Sequence, residues 1–262
     1  MTHLVSLLSD FGLTDTYVGQ MKAALLRVAP GALLVDLTHA VPAQDVRAGA
    51  FLLWSAVEAF PAGSLHLAVV DPGVGSARRG VAARARRGDL FVGPDNGLLV
   101  PAIEQLGGLA AAVELNEPAY WGPQQSRTFH GRDVFAPAVG HLAAGVPLER
   151  LGSPLHHLEV PFSFPPPTEE EGSPVGEVLH VDTYGNLITN LPGALLPARF
   201  QVRLGTAVIG DAPHAHYQAV APGEPLALVG SAGLLEVSVR DGSAAEVLGV
   251  KRGARVCVVP TM

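Results

Sequence analysis

The sequence has one cysteine, Cys257, in 262 residues. No internal disulfide can form and no thiolate metal cluster is available, which fits a reducing compartment. Charge is also scarce: Asp, Glu, Lys and Arg make up 16% of the chain and leave a net charge of −7. The densest basic group is only Arg84, Arg86 and Arg87. Phosphate binding draws on clustered cations, so this balance argues against a nucleic-acid partner. No apolar run approaches the roughly 18 residues of a membrane span. Met1–Ser9 is apolar but short, lacks a basic start and runs into Asp10, so it does not read as a signal peptide. No HExxH pair or comparable ligand spacing occurs, so no metal or other cofactor is expected. A cytoplasmic protein is expected.

What is present is a large apolar fraction, 48%, enough to bury a substantial core. Leu4–Leu8 predicts a buried strand. A helical pattern from Thr16 carries Val18, Met21, Leu25 and Val28 and stops before Pro30–Gly31. Leu33–Leu37 predicts a second buried strand, Asp45–Phe60 a helix and Leu65–Val70 a third strand. Val81–Arg86 and Asp89–Val92 read as a hairpin, Asn96–Leu106 as a helix, and Asp133–Ala144 as a further helix with Pro137 near its first turn. Alternation of this kind predicts an α/β domain over 1–160 with a largely parallel sheet, whose ligands sit beyond the C-terminal strand ends. Pro165–Pro167 followed by Glu169–Glu171 marks 161–172 as a semi-rigid, solvated linker. Beyond it, over 173–262, helical periodicity fades. Short runs such as Val175–Val181, Gln201–Leu204, Leu226–Val229, Leu234–Val239 and Arg255–Val259 predict a smaller all-β, barrel-like domain.

Four clusters carry chemistry, each with a plain structural alternative. Ser9-Asp10-Phe11-Gly12 places a carboxylate at a strand end, where it suits either a ribose diol or a turn or helix cap. Val69–Ser76 with Arg78 puts two glycines and a proline after a buried strand. Such a loop admits a ligand to the backbone and lets Asp71 and Arg78 converge, or it is an ordinary turn with a salt bridge; the P-loop ending is absent. Thr128-Phe129-His130-Gly131-Arg132-Asp133 stands at a helix mouth, with Asp133 the natural N-cap or first-turn residue. Asp182–Asn190 either forms a hairpin or binds a zwitterion, Asp182 attracting the ammonium and Asn186 both donating and accepting. Ser231–Glu236 is a similar turn into a strand.

Taken together and in this order, with Gly93–Leu99 added, these stretches resemble the S-adenosylmethionine hydrolase (hydroxide adenosyltransferase) family, relatives of the S-adenosylmethionine-dependent fluorinases and chlorinases. The resemblance implies hydrolysis of S-adenosylmethionine to adenosine and L-methionine by water or hydroxide at ribose C5′. It also implies an N-terminal α/β domain, a C-terminal β-barrel, and a homotrimer with sites between subunits. Its catalytic set falls on Asp71, Arg78 and His130. Substrate contacts fall on Asp10 for the ribose diol, and on Phe129, Asp182, Asn186 and Ser231, with Glu236 and the backbone near Val239 along the adenine. In the halogenase branch a tyrosine stands in place of Asp71 and Tyr-Ser in place of His130-Gly131, so the departures favour water over halide. Two competing readings follow: a halogenase, or a sensor that binds adenosine or S-adenosylmethionine without turnover.

Overall fold

Strand and helix alternate through the first half of the chain. The computed structural model describes residues 3–261 and forms two units, Met1–Ser163 and Phe164–Met262. The first contains β1 (Leu4–Ser9), α1 (Tyr17–Val28), β2 (Leu33–Thr38), α2 (Val46–Val57), β3 (Leu65–Val69), β4 (Gly80–Ala85), β5 (Leu90–Pro94), α3 (Val100–Gln105), β6 (Leu109–Glu114), α4 (Ala136–Ala143) and β7 (Pro154–Leu155). α1 buries Val18, Met21 and Leu25, one stripe at turn spacing. Asp45 caps α2, its side chain accepting the Ala48 N–H at 2.9 Å. Successive β1 residues enter different cores: Leu7 packs with Met21, Leu67, Phe135 and Val139 on one face, and Leu8 with Leu53, Val70 and Leu99 on the other. Two-sided burial explains why β1 and β3 read as near-continuous apolar runs, broken inside by Ser6 and His66, which pair with each other.

The sheet order is β2-β1-β3-β5-β4-β6-β7. β2, β1, β3 and β5 run parallel to one another, whereas β4, β6 and β7 join antiparallel. The sheet is therefore mixed, which corrects the expectation of a largely parallel one. Parallel neighbours need a crossover of about a dozen residues. Between β4 and β5 the chain has only a tight turn, closed by Ala85 N–H to Asp89 O at 2.9 Å with Gly88 at φ +103°. β2 is an edge strand with Leu33 55% exposed, so it is less buried than its leucines imply.

The second unit contains β8 (Thr168–Glu170), β9 (Ser173–Val181), β10 (Leu187–Pro192), β11 (Phe200–Leu204), β12 (Ala207–Ala212), β13 (Pro225–Val229), β14 (Leu234–Val239), the one-turn helix α5 (Ala244–Val247) and β15 (Arg255–Pro260). Its strands pair antiparallel in the order β12-β11-β15-β9-β10-β14-β13, with β8 on β9. The two ends of this order approach each other, His214 N–H donating to Ala227 O at 2.8 Å, so the sheet curls nearly into a barrel. Val178, Leu187, Phe200, Val202, Leu235 and Val256 fill its interior. Among the described residues no helix is long and apolar enough to cross a membrane.

Candidate active site

In the first unit, chemistry-bearing side chains leave the C-terminal ends of parallel strands. β3 ends at Val69, and Asp71 begins a loop tied by Val74 N–H to Asp71 O (3.2 Å), Ser76 N–H to Gly73 O (3.1 Å) and Ser76 Oγ to Gly73 O (2.6 Å). Arg78 N–H reaches back to Ser76 Oγ at 3.2 Å. Gly75 has φ +76°, and a Cβ there would collide with the Arg127 carbonyl oxygen. Glycine is thus required both by conformation and by the close approach of the 127–130 segment. Asn96, from the Gly93–Leu99 stretch, seals the strand end by donating to Val70 O at 2.9 Å and accepting Leu98 N–H at 3.2 Å. That local turn, with Gly97 at φ +92°, delays α3 to Val100, later than the helix expected from Asn96.

The approach brings three side chains together. Arg78 Nε donates to Asp71 Oδ1 at 2.8 Å, and Nη2 pairs with Asp71 Oδ2. The same Nη2 lies 3.0 Å from His130 Nδ1. A guanidinium can only donate, so Nδ1 accepts and the proton of the neutral imidazole stands on Nε2. Burial and then the Arg78 charge push His130 below the usual histidine range, against smaller opposing effects of Asp71 and Asp133. The Asp71 and Arg78 side chains are 6% and 12% exposed. Among the described residues, Arg78 Nη1 makes no hydrogen bond, and the guanidinium carbon stands 5.2 Å from the Phe135 ring centroid.

His130 precedes a π turn, Gly131–Phe135, that leads into α4. Pro137 provides the physical reason: it has no N–H for the Asp133 carbonyl, and its ring would crowd that group in a regular helix. The Asp133 carbonyl instead accepts Gly122 N–H at 2.7 Å. Asp133, expected as an N-cap or first-turn residue, lies in the first turn. Its carboxylate accepts from Ser126 N–H at 2.8 Å and from Arg132 at 2.6 and 3.0 Å, so it fixes the approach loop. A Cβ on Gly131 would press on the Phe11 ring at 3.1 Å.

Asp10 follows β1 and accepts Gln44 N–H through Oδ2 at 2.8 Å; Oδ1 has no hydrogen bond among the described residues. Phe129 sits edge-on to Phe11 and Tyr17, with centroids 5.6 and 5.4 Å away, beneath the Arg132 guanidinium at 4.8 Å. Phe11 belongs to the Ser9–Gly12 stretch but was given no role of its own there, and Tyr17 was not singled out; its signal is its place at the start of α1, close after that stretch.

In the second unit, Asp182, Asn186, Ser231, Glu236 and Val239 all line one open cavity of about 980 Å³. The β9–β10 hairpin is closed by Asp182: Oδ1 accepts the N–H groups of Tyr184 and Asn186, both at 2.9 Å, and Oδ2 accepts Asn186 Nδ2 at 2.9 Å. Gly185, at φ +81°, is packed so closely on Ser243 that no Cβ fits. Ser231 stands exposed at the β13–β14 tip, while Glu236 and Val239 are buried on β14. Glu236 Oε1 accepts from Tyr217 OH at 2.8 Å and Ser238 Oγ at 2.9 Å. Burial first, and then the carboxylate, push the Tyr217 phenol up to about 12. Tyr217 escapes a sequence reading because nothing around it is periodic. Among the described residues no group of three or more His, Cys, Asp or Glu side chains is placed to hold a metal ion.

Comparison with known proteins gives the same grouping throughout. The SAM hydroxide adenosyltransferase N-terminal domain matches residues 5–152, and the SAM hydroxide adenosyltransferase C-terminal domain matches residues 176–257. The chain is 45% identical to the (R)-S-adenosyl-L-methionine hydrolase of Salinispora tropica, covering 98% of each. It is 46% identical to the (R)-S-adenosyl-L-methionine hydrolase of Thermus thermophilus, over 96% of this chain and 98% of that one. A crystal structure of an uncharacterized conserved protein from Thermotoga maritima superposes with a TM-score of 0.89 at 36% identity, covering 98% of this chain and 100% of that one. The chain belongs to the SAM hydroxide adenosyltransferase family.

Proposed function

We propose that this protein hydrolyses S-adenosylmethionine to adenosine and L-methionine, with water or hydroxide attacking ribose C5′ in line with the C5′–S bond. The observation that carries the reading is the Arg78 guanidinium bridging the Asp71 carboxylate and His130 Nδ1. The C5′–O bond forms as the C5′–S bond breaks, its electron pair neutralising the sulfonium to the thioether of methionine, and one proton is released. The leaving group needs no acid; the nucleophile is the difficulty. Water, with a pKa of about 15.7, would lose its proton to an ordinary histidine at a cost of about 12 kcal/mol, and His130 lies below that range.

The tautomer supports reading His130 as a donor rather than as the base. Nδ1 is engaged by Arg78 and Nε2 already carries hydrogen, so His130 orients the nucleophile by donation. Arg78 Nη1 supplies a second donor for a developing hydroxide, acting from a largely enclosed site. A carboxylate is a weaker base than imidazole, so Asp71, with both oxygens on Arg78, orients the guanidinium, and hydroxide enters ionised and is held by Arg78. In this reading Asp10 contacts the ribose diol and Phe129 the substrate, Asp182, Asn186 and Ser231 contact the methionine end, and Glu236 and Val239 the adenine.

The reading includes a homotrimer with sites between neighbouring subunits, a cytoplasmic location, and no metal or cofactor. The test is chromatography of the protein incubated with S-adenosylmethionine, with and without chloride, beside Arg78→Ala. Equal adenosine and methionine, lost in the variant, support the hydrolase. A 5′-halogenated nucleoside would replace it by halide transfer, and tight binding without product by a sensor.

A further inference from the structure

His39 lies outside every stretch that carries the family resemblance, yet it touches both ends of the Asp10 turn. Its Nδ1 is 2.7 Å from Ser9 Oγ, and its backbone carbonyl accepts Gly12 N–H at 2.7 Å. Ser9 and Gly12 bracket Asp10, and Gly12 holds φ +67°, a conformation that suits glycine. On its far side, His39 Nε2 is 3.2 Å from Asp36 Oδ1, while Asp36 Oδ2 takes Lys22 Nζ at 2.6 Å.

With the imidazole neutral, as its burial favours, these contacts fix the hydrogens. An ionised carboxylate only accepts, so Nε2 carries the proton and Nδ1 accepts from Ser9 Oγ–H. Ser9 Oγ accepts in turn from Phe11 N–H at 3.3 Å. The chain of bonds runs from a surface ion pair, through a buried imidazole, into the backbone beside Asp10. It is not a nucleophilic triad. Ser9 is fully buried, and the ring is reversed relative to the triad arrangement, in which the base's Nε2 faces the serine. A second copy of the motif, Ser6 Oγ to His66 Nδ1 at 2.7 Å with His66 Nε2 at 3.4 Å from Asp89, sits buried in the same sheet. In that copy the serine lies mid-strand, whereas the His39 copy ends where the strand opens into the turn.

We propose that His39 is the positioning residue of the Asp10 turn, holding Ser9 by its side chain and Gly12 by its backbone so that the free Asp10 oxygen is presented to the ribose hydroxyls. The inference rests on the reading of Asp10 as the ribose-binding carboxylate. Hydrogen bonds to a charged group are worth about 1.5–3 kcal/mol, so a well-placed Asp10 distinguishes a ribose from its deoxy analogue by about tenfold or more in kcat/KM.

The experiment measures kcat and KM for S-adenosylmethionine and for its 2′-deoxyribose analogue in wild type, His39→Ala, His39→Asn and Ser9→Ala. In His39→Ala the preference for the ribose substrate is expected to collapse toward unity, with the loss on KM larger than that on kcat. Ser9→Ala, a small change, keeps the test alive if His39→Ala does not fold, and should collapse the preference too. His39→Asn, whose Oδ1 falls near the Nδ1 position and accepts from Ser9, should retain it. A structural role alone would lower activity on both substrates equally and keep the ratio, and that result overturns the inference. Wild-type discrimination with an undiminished ratio in His39→Ala and Ser9→Ala sinks this proposal while leaving the hydrolase standing. Absence of wild-type turnover sinks the hydrolase, and the inference with it.

Discussion

Replacing Arg78 by alanine tests the trio through stability and activity separately. The Asp71 side chain is 6% exposed, and both its oxygens are paired with Arg78. Truncating Arg78 therefore strands a buried carboxylate, a change that costs about 3 kcal/mol or more. At about 2–4 °C per kcal/mol for a domain of this size, the melting temperature should fall by about 6–12 °C. Removing Asp71 as well takes away the stranded charge. The Asp71→Ala/Arg78→Ala double variant should then be more stable than Arg78→Ala alone, with the two single effects clearly non-additive. Activity should not follow stability: Arg78→Ala should lose about a hundredfold to a thousandfold in kcat, the size seen when one preorganised donor to a developing anion is removed. The double variant should recover none of it. Calorimetry and product chromatography on the four proteins decide the matter. Additive stability losses, or activity recovered with the melting temperature, would refute the reasoning.

Gly75→Ala should destabilise the protein by about 1–3 kcal/mol and lower kcat, because φ is +76° and the new Cβ meets the Arg127 carbonyl; thermal melting and turnover check both. His130→Gln, which can keep a donor near the Nε2 position, should retain more activity than His130→Ala, as steady-state kinetics will show. Burial holds His39, His130 and His141 below their ordinary range. On acidification the unfolded chain therefore protonates first, from about pH 6.5. The stability of the neutral residues is complete above that pH and is lost as pH falls toward the folded-state values. Melting temperature should drop across that window, and less steeply in His141→Gln; a flat profile would contradict the assignment.

Much of this fold was legible because burial imprints a period. Val18, Met21 and Leu25 mark α1, and Asp45 marks the start of α2, each by a local rule. The β4–β5 hairpin was legible too, but its consequence was not: one tight turn reverses direction and makes a sheet mixed that βα alternation suggests is parallel. β6 (Leu-Ala-Ala-Ala-Val-Glu) has too little strand character to announce itself, whereas the hairpin reading of Asp182–Asn190 does find β10 beyond its Gly185 turn. Asp133 was legible as a first-turn residue, but Pro137, which suits a regular helix start equally well, did not announce the π turn before it. Arg78 and His130 stand 52 residues apart, and only Gly75 hints that their segments pack.

The most direct measurement is the fate of water's oxygen. The protein is incubated with S-adenosylmethionine in water enriched in heavy oxygen, and the products are weighed by mass spectrometry. One heavy atom at O5′ of adenosine, none in methionine, and loss of that product in Arg78→Ala are expected if water or hydroxide attacks C5′. Unlabelled adenosine, label in the methionine fragment, or a product other than adenosine would contradict the account.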